Sequence, residues 1–439
     1  MGEELFGYSG ETHTFLKLFD VRVGDIIRVS RGGEFFEGSL MPRYELADNE
    51  HIVIKLKNGY NIGIRISKNL KIEKIGVGIK PVFTSPSSIK EKQDLPNIAI
   101  ISTGGTIASR IDYRTGAVWP ALTTKDILSV VPEISSIANL KTEILFKLLS
   151  ENVYAPHWTE IAMRVAKYIG EKVDGVVICH GTDTMTYTSA ALSFALQNLS
   201  VPVILVGSQR SSDRPSSDAA MNLTNAIRAA ASVPIAEVMV CMHETISDTS
   251  TVLHRGTKVR KLHTSRRDAF KSVNANPLAR VEADRITVLE NSYNERKSDK
   301  VLVLRPDFDE KVALIKFHPG LNPEIIEWYA NKGYRGIILE GTGLGHVGRY
   351  CFSEIQKAIK KEMFVGMCSQ CMYGRVNMKI YETGRDLVKL GVVPLGDMLP
   401  ETAFIKLSWI LGQNKNLDDI KKIMLTNIAG EISSRSIYS

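Results

Sequence analysis

Ile101-Ser102-Thr103-Gly104-Gly105-Thr106-Ile107-Ala108-Ser109 and Cys179-His180-Gly181-Thr182-Asp183-Thr184-Met185, read together, decide the fold of this chain. Each follows an apolar run short enough for a buried parallel strand, 97–101 before the first and 175–178 before the second. Ligands of α/β sheets bind at the carboxyl ends of such strands. Glycines there let the backbone approach a ligand and aim N–H groups at developing negative charge, while a neighbouring threonine hydroxyl can attack. Taken singly, either stretch also fits an ordinary glycine-rich turn. The two in this order, each after a buried strand, are the more specific signal.

Working outward, the chain from 97 to about 291 alternates strand and helix. Residues 143–149 read as a strand, and 158–171 carries helical apolar spacing at Ile161, Ala162, Val165, Ala166 and Ile169. A strand over 173–178 delivers His180 to Met185; a helix over 188–199, a strand over 201–206, an alanine-rich helix over 218–231 and a strand over 237–242 follow. Thr123 is placed to cap a further helix, with Asp126 in the capping-box position and Pro132 as its stop. This alternation predicts a parallel, doubly wound sheet. Residues 248–265 read as loop. A second α/β unit opens near Lys311, with strands at 312–317, 336–339 and 364–367, a helix at 322–332 and a helical tail over 401–432.

The first 85 residues have a different grain. Short strand-like segments fall at 20–30, 34–46, 51–56, 60–66 and 70–75, and Asn58-Gly59 supplies a hairpin turn. They predict a small β-barrel, which carries no cluster of catalytic residue types and so reads as an interaction module. The expected organisation is a barrel at 1–85, a linker at 86–96, a catalytic α/β domain at 97–300 and a second α/β domain with a parallel sheet at 311–439.

With 439 residues, 44% of them hydrophobic, the chain has apolar material for two or three cores. It lacks both a run of eighteen apolar residues and a charged-then-apolar leader, so neither a membrane span nor a secretory signal is expected, and the expected location is the cytoplasm. Five cysteines, an odd number, with Cys179 and Cys241 in strand-like runs, fit reduced thiols. Cys368-Ser369-Gln370-Cys371 is formally a CxxC, but it lacks a second pair or histidines at ligand spacing, and no metal is expected. Gly343-Leu344-Gly345-His346-Val347-Gly348 formally matches a dinucleotide fingerprint, yet the next strand ends without an acid to hold a ribose. The net charge of +7 leaves open a non-enzymatic tRNA-binding protein, although an aromatic-and-basic stacking motif is missing.

The two hydroxyl-bearing motifs resemble those of the asparaginase/glutaminase family of threonine amidohydrolases. An amide is a poor electrophile, so its hydrolysis without a metal needs an activated nucleophile, a base and donors for the oxyanion. The resemblance makes Thr106 the first candidate nucleophile and Thr182 the second hydroxyl, with Asp183 beside it; which of the two threonines forms the covalent intermediate stays open. Thr257-Lys258-Val259-Arg260-Lys261-Leu262-His263-Thr264 resembles the family segment that carries a catalytic lysine, which implies Lys261, with Lys258 as the runner-up. By the same resemblance Tyr113, in Asp112-Tyr113-Arg114-Thr115-Gly116, is a lid tyrosine that relays a proton to Thr106. Ser150 and Glu151, together with Asp183, would bind the substrate's α-amino and α-carboxylate groups, beside Gly105 and Gly181. Glu151 stands where many asparaginases have glutamine, which leaves the choice between asparagine and glutamine open.

Three C-terminal strings, 372–378, 381–385 and 396–403, together with the added barrel, resemble the archaeal glutamyl-tRNA(Gln) amidotransferase D subunits over nearly the whole chain. That resemblance implies an asparaginase-like pair of α/β domains behind a small β-barrel. It also implies a protein that liberates ammonia from glutamine or asparagine for a partner, the amidotransferase E subunit, which binds tRNA(Gln) and activates the glutamyl group with ATP and Mg²⁺. No Walker A sequence is present, so no cofactor is expected on this chain, and ATP and Mg²⁺ are expected on the partner. A homodimeric core within a heterotetramer is implied as well. A free-standing asparaginase is the nearest alternative.

Overall fold

The computed structural model describes residues 5, 7–41, 43, 48–56, 61–77, 93–104, 109–111, 118–120, 132–210, 217–413 and 416–435. At the N-terminus, a helix Gly10–Leu18 precedes five strands, β1 Ile26–Arg31, β2 Glu34–Leu40, β3 His51–Leu56, β4 Asn61–Arg65 and β5 Lys71–Gly76. They form one antiparallel sheet in the order β4-β3-β2-β1-β5 around a core that includes Leu16, Ile27, Val29, Leu40, Ile52 and Ile54. No ladder joins β4 to β5 among the described residues, so this β-rich module is a returning meander whose closure into a barrel is not seen in its pairing. The helix carries only Thr12 and Leu16 as buried residues, a stripe too thin to announce itself by apolar periodicity. The Asn58-Gly59 turn lies outside the described residues.

The catalytic region is built from β6 Asn97–Gly104, β7 Ser109–Ile111, β8 Val118–Pro120, β9 Asn139–Leu148, β10 Gly175–Cys179, β11 Leu196–Gln197, β12 Val203–Val206, β13 Val238–His243, β14 Thr251–Arg255, β15 Val259–Lys261, β16 Phe270–Ser272, β17 Ala279–Val281, β18 Ile286–Val288 and β19 Val303–Leu304. Eight of these make one sheet in the order β18-β17-β14-β13-β12-β10-β6-β9. From β13 to β9 the neighbours are parallel, as expected, and β14, β17 and β18 extend the sheet with an antiparallel flank. Alternate residues feed two cores. Ile98, Ile100, Val177, Cys179, Ile204 and Val206 face the helix Ala219–Ser232, while Ala99, Ile101, Val176, Ile178, Val203 and Leu205 face the helix Ala155–Gly170. Apolar side chains on both faces are why these strands read as unbroken hydrophobic runs.

The expected loop at 248–265 contains two strands instead, β14 and β15. Their apolar signal is diluted by buried polar side chains that find partners inside: Asn225 Nδ2 donates to Thr251 Oγ1 at 3.2 Å, and His254 Nδ1 lies 2.8 Å from Ser272 Oγ. The helix expected over 188–199 is Met185–Ala195, starting directly after Thr184. The helix capped by Thr123 falls outside the described residues.

In the C-terminal region β20 Val312–Lys316, β21 Gly336–Gly341, β22 Phe364–Ser369 and β23 Val393–Pro394 form a parallel sheet in that order. The tail is not one helix but two, Pro400–Gly412 and Leu417–Met424, followed by irregular chain. The first is buried on nearly every side because it fills the seam between the two α/β regions, where Trp409 stacks on Phe194 at 5.8 Å between ring centroids. Among the described residues no helix is long and apolar enough to cross a membrane.

Candidate active site

Strands β6 and β10 lie side by side with Cys179 opposite Ser102, so both motifs leave the sheet at the same edge. Thr103 Oγ1 donates to the Cys179 carbonyl at 3.1 Å and ties the two strand ends. Gly104 has φ +117°, and a β-carbon there would fall 2.1 Å from the Leu148 carbonyl oxygen. Only glycine permits that approach, which draws the end of β9 and the short 3-10 turn Ser150–Asn152 toward the motifs. A β-carbon on Gly181 would likewise fall 2.7 Å from Ser150 Cβ, and one on Gly207 2.8 Å from Thr182 Cγ2. Thr184 Oγ1 donates to the Ser150 carbonyl. The ends of β6, β9, β10 and β12 therefore converge on Thr182.

Lys261 ends β15, which pairs with β16 in a hairpin. Its Nζ donates to Thr182 Oγ1 at 2.9 Å and to Asp183 Oδ1 at 2.7 Å. The Lys261 side chain is 13% exposed and that of Asp183 70%, so the amine is sheltered while the carboxylate faces solvent. A hydroxyl, an amine and a carboxylate in contact can pass a proton among themselves at the mouth of a parallel sheet. Lys258, the runner-up, points elsewhere: it is fully enclosed and pairs with Asp397 of the C-terminal region at 2.7 Å.

Ser150 is buried beneath the Gly181 loop, and Glu151 is exposed on the same turn. Gly105 and Thr106, just beyond Gly104, and Tyr113 lie outside the described residues.

One residue in the quoted motif has a role that sequence reasoning missed. His180 is fully buried, its Nδ1 donates to the Gly181 carbonyl at 2.7 Å, and its Nε2 accepts from Thr188 Oγ1 at 2.9 Å. A carbonyl can only accept, so this pairing sets the tautomer. Burial pulls the imidazole down to about 4, against the opposing pull of the Gly181 carbonyl. The ring thus props the Gly181–Thr182 peptide as a neutral group. The signal lay in Thr188, eight residues on in the first turn of the helix Met185–Ala195, which only the folded chain brings back over the motif.

The other motifs have structural uses. Cys368 and Cys371 are both free thiols, the first buried with its thiol pushed up by burial, the second exposed. Gly345, in the formal dinucleotide fingerprint, packs so tightly that a β-carbon would fall 2.7 Å from Val376 Cγ1.

Comparison with known proteins places the chain by family and fold. Residues 97–294 match the asparaginase N-terminal family, 311–424 the glutaminase/asparaginase C-terminal domain and 21–75 the GatD N-terminal domain. The chain is 52% identical over 425 residues to the glutamyl-tRNA(Gln) amidotransferase D subunit of Pyrococcus horikoshii, covering 95% of this chain and 97% of that one. It is 50% identical over 430 residues to the corresponding D subunit of Methanothermobacter thermautotrophicus, covering 98% of each. Among solved structures, the thermostable L-asparaginase from Thermococcus kodakarensis superposes with a TM-score of 0.70 at 32% identity, covering 77% of this chain and 100% of that one. L-asparaginase I from Vibrio cholerae does so with 0.68 at 30%, covering 77% and 99%.

Proposed function

The chain belongs to the family of glutamyl-tRNA(Gln) amidotransferase D subunits, and from that premise we propose that it is the amidohydrolase component that strips ammonia from the side-chain amide of glutamine, or of asparagine, for a tRNA-dependent amidation. The observation that carries this reading is the contact of Lys261 Nζ with both Thr182 Oγ1 and Asp183 Oδ1, at 2.9 and 2.7 Å.

The chemistry runs in two displacements. A threonine hydroxyl adds to the amide carbon, its proton passes through the Lys261 amine to the leaving nitrogen, the C–N bond breaks and ammonia departs. Water then attacks the resulting ester, gives its proton to the same relay, and frees glutamate and the threonine hydroxyl. We assign the ester to Thr106 by the family resemblance, and the relay to Thr182, Lys261 and Asp183 because Lys261 Nζ lies within proton-transfer distance of Thr182 Oγ1. Tyr113 relays a proton at Thr106, and backbone N–H groups at Gly105 and Gly181 stabilise the oxyanion. Ser150, Glu151 and Asp183 hold the substrate's α-substituents.

The ammonia goes to a partner, the amidotransferase E subunit, that would hold tRNA(Gln), ATP and Mg²⁺ and activate the side-chain carboxylate of the tRNA-bound glutamyl group. This chain then works as a homodimer within a heterotetramer in the cytoplasm. The N-terminal β-module and the C-terminal region are its surfaces for that partner.

Likeness to L-asparaginases favours a second reading, a free-standing asparaginase, but those structures leave about a quarter of this chain uncovered. Ammonia release by the purified chain, alone and then with the E subunit and glutamyl-tRNA(Gln), separates the two. The amidotransferase reading expects release from glutamine to rise on both additions. Strong release from asparagine that ignores them would favour the simple enzyme.

A further inference from the structure

The segment Thr257 to Lys261 belongs to the catalytic region by chain order but is gripped by the C-terminal region. Thr257 Oγ1 donates to the Ala429 carbonyl at 2.9 Å, and the Thr257 carbonyl accepts from Thr402 Oγ1 at 2.9 Å. Lys258 Nζ donates to Asp397 Oδ2 at 2.7 Å and to the Asp397 carbonyl at 3.2 Å, in a pair with side-chain exposures of 1% and 0%. Arg260 pairs with Glu401 at 2.8 Å. Asp397 is itself held, its Oδ1 accepting from the Ser433 amide at 2.9 Å. Val259 alone turns into the core of the catalytic region, and Lys261 reaches Thr182.

A lysine side chain has four rotatable bonds and does not place its own amine; the backbone beneath it must be fixed. Here the fixing groups come from another region. We infer that Lys258, Asp397 and Thr402 are positioning residues: through them the C-terminal region sets the backbone register at which Lys261 Nζ meets Thr182 Oγ1. The inference rests on Lys261 being the proton relay. A shift of the helix Pro400–Gly412 against the catalytic sheet is then felt at the amine, since three anchors precede it within five residues. No other part of the described site links the relay so directly to the C-terminal region.

The test uses the full chain with the amidotransferase E subunit and glutamyl-tRNA(Gln), measuring kcat and KM for ammonia release from glutamine. The double variant Lys258→Met/Asp397→Leu removes both buried charges together, so neither is left alone in the core. Its kcat is expected to fall about 10- to 100-fold with KM changed less than about threefold, because ångström-scale misplacement of a reacting group costs up to about 100-fold. Thr402→Val should lower kcat at least about threefold, and Thr402→Ser, which keeps the hydroxyl, should restore it. A folded double variant with wild-type kcat overturns the inference; if the double variant does not fold, a folded Thr402→Val protein with wild-type kcat overturns it instead. A Lys261→Met protein that still releases ammonia normally would strike at the relay assignment, a separate failure read in a separate protein.

Discussion

Gly181 lies directly over Ser150, so close that the two residues could not both carry a β-carbon: the added atom would fall 2.7 Å from Ser150 Cβ and 2.9 Å from its Oγ. This single approach joins the turn after β9 to the loop after β10 and so assembles the site. Gly181→Ala should therefore push Thr182 away from Lys261. We expect kcat/KM for ammonia release to drop about 100-fold and stability to fall by about 1–3 kcal/mol, as for other overpacked sites. Steady-state kinetics with a urea melt check both; wild-type kinetics would show that the loop yields without cost.

The relay itself predicts a coupled loss. Thr182→Val and Lys261→Met should each lower kcat by about three orders of magnitude or more, and the double variant should lose little beyond the worse single one, because residues acting as a unit are not additive. Multiplicative losses would mean that the 2.9 Å contact is not used in one step.

Trapping separates the two hydroxyls. An electrophilic glutamine analogue, followed by peptide mass spectrometry, is expected to leave the acyl label on Thr106. Label on Thr182 would exchange their assignments while keeping Lys261 as the proton carrier.

His180 gives a pH dependence with a definite sign. Its ordinary value is 6.5, and burial holds it at about 4 in the folded protein. Above 6.5 the ring is neutral folded or unfolded, and it contributes nothing to the pH dependence. As pH falls from 6.5 toward 4, the unfolded chain gains a proton that the folded chain refuses, so stability falls, by about 2 kcal/mol at pH 5. Replacing His180 with Gln should remove that part of the acid sensitivity. His254, drawn down to about 3 chiefly by burial, acts in the same direction and stays in place as an internal reference. Urea midpoints at pH 7 and pH 5 for both proteins decide it, and equal pH dependence would rule out a buried neutral His180.

The stack of Phe194 on Trp409 predicts how the two α/β regions melt. Trp409→Ala empties the seam and should cost about 3–5 kcal/mol. Calorimetry should then resolve two transitions where the wild type shows one.

Much of the scaffold is legible in the chain itself. The runs before Gly104 and before His180 are apolar at every position because both faces of their strands are covered, and the glycines mark strand ends where backbone and side chain come close. Polar interiors are harder to read: Thr251 and His254 hide β14 because their partners, Asn225 and Ser272, are far away in sequence. The thin stripe of Thr12 and Leu16 hides the first helix in the same way.

Residue order determined that two hydroxyl-bearing loops would leave one sheet edge, since short apolar runs followed by glycine and threonine have few other uses. The resemblance put Lys261 ahead of Lys258, and tertiary structure decided what each of them touches. Lys258 sits in the bend before β15 and Lys261 at the strand's end, so one lysine is buried against Asp397 and the other reaches Thr182, and no local pattern says which of them faces the chemistry.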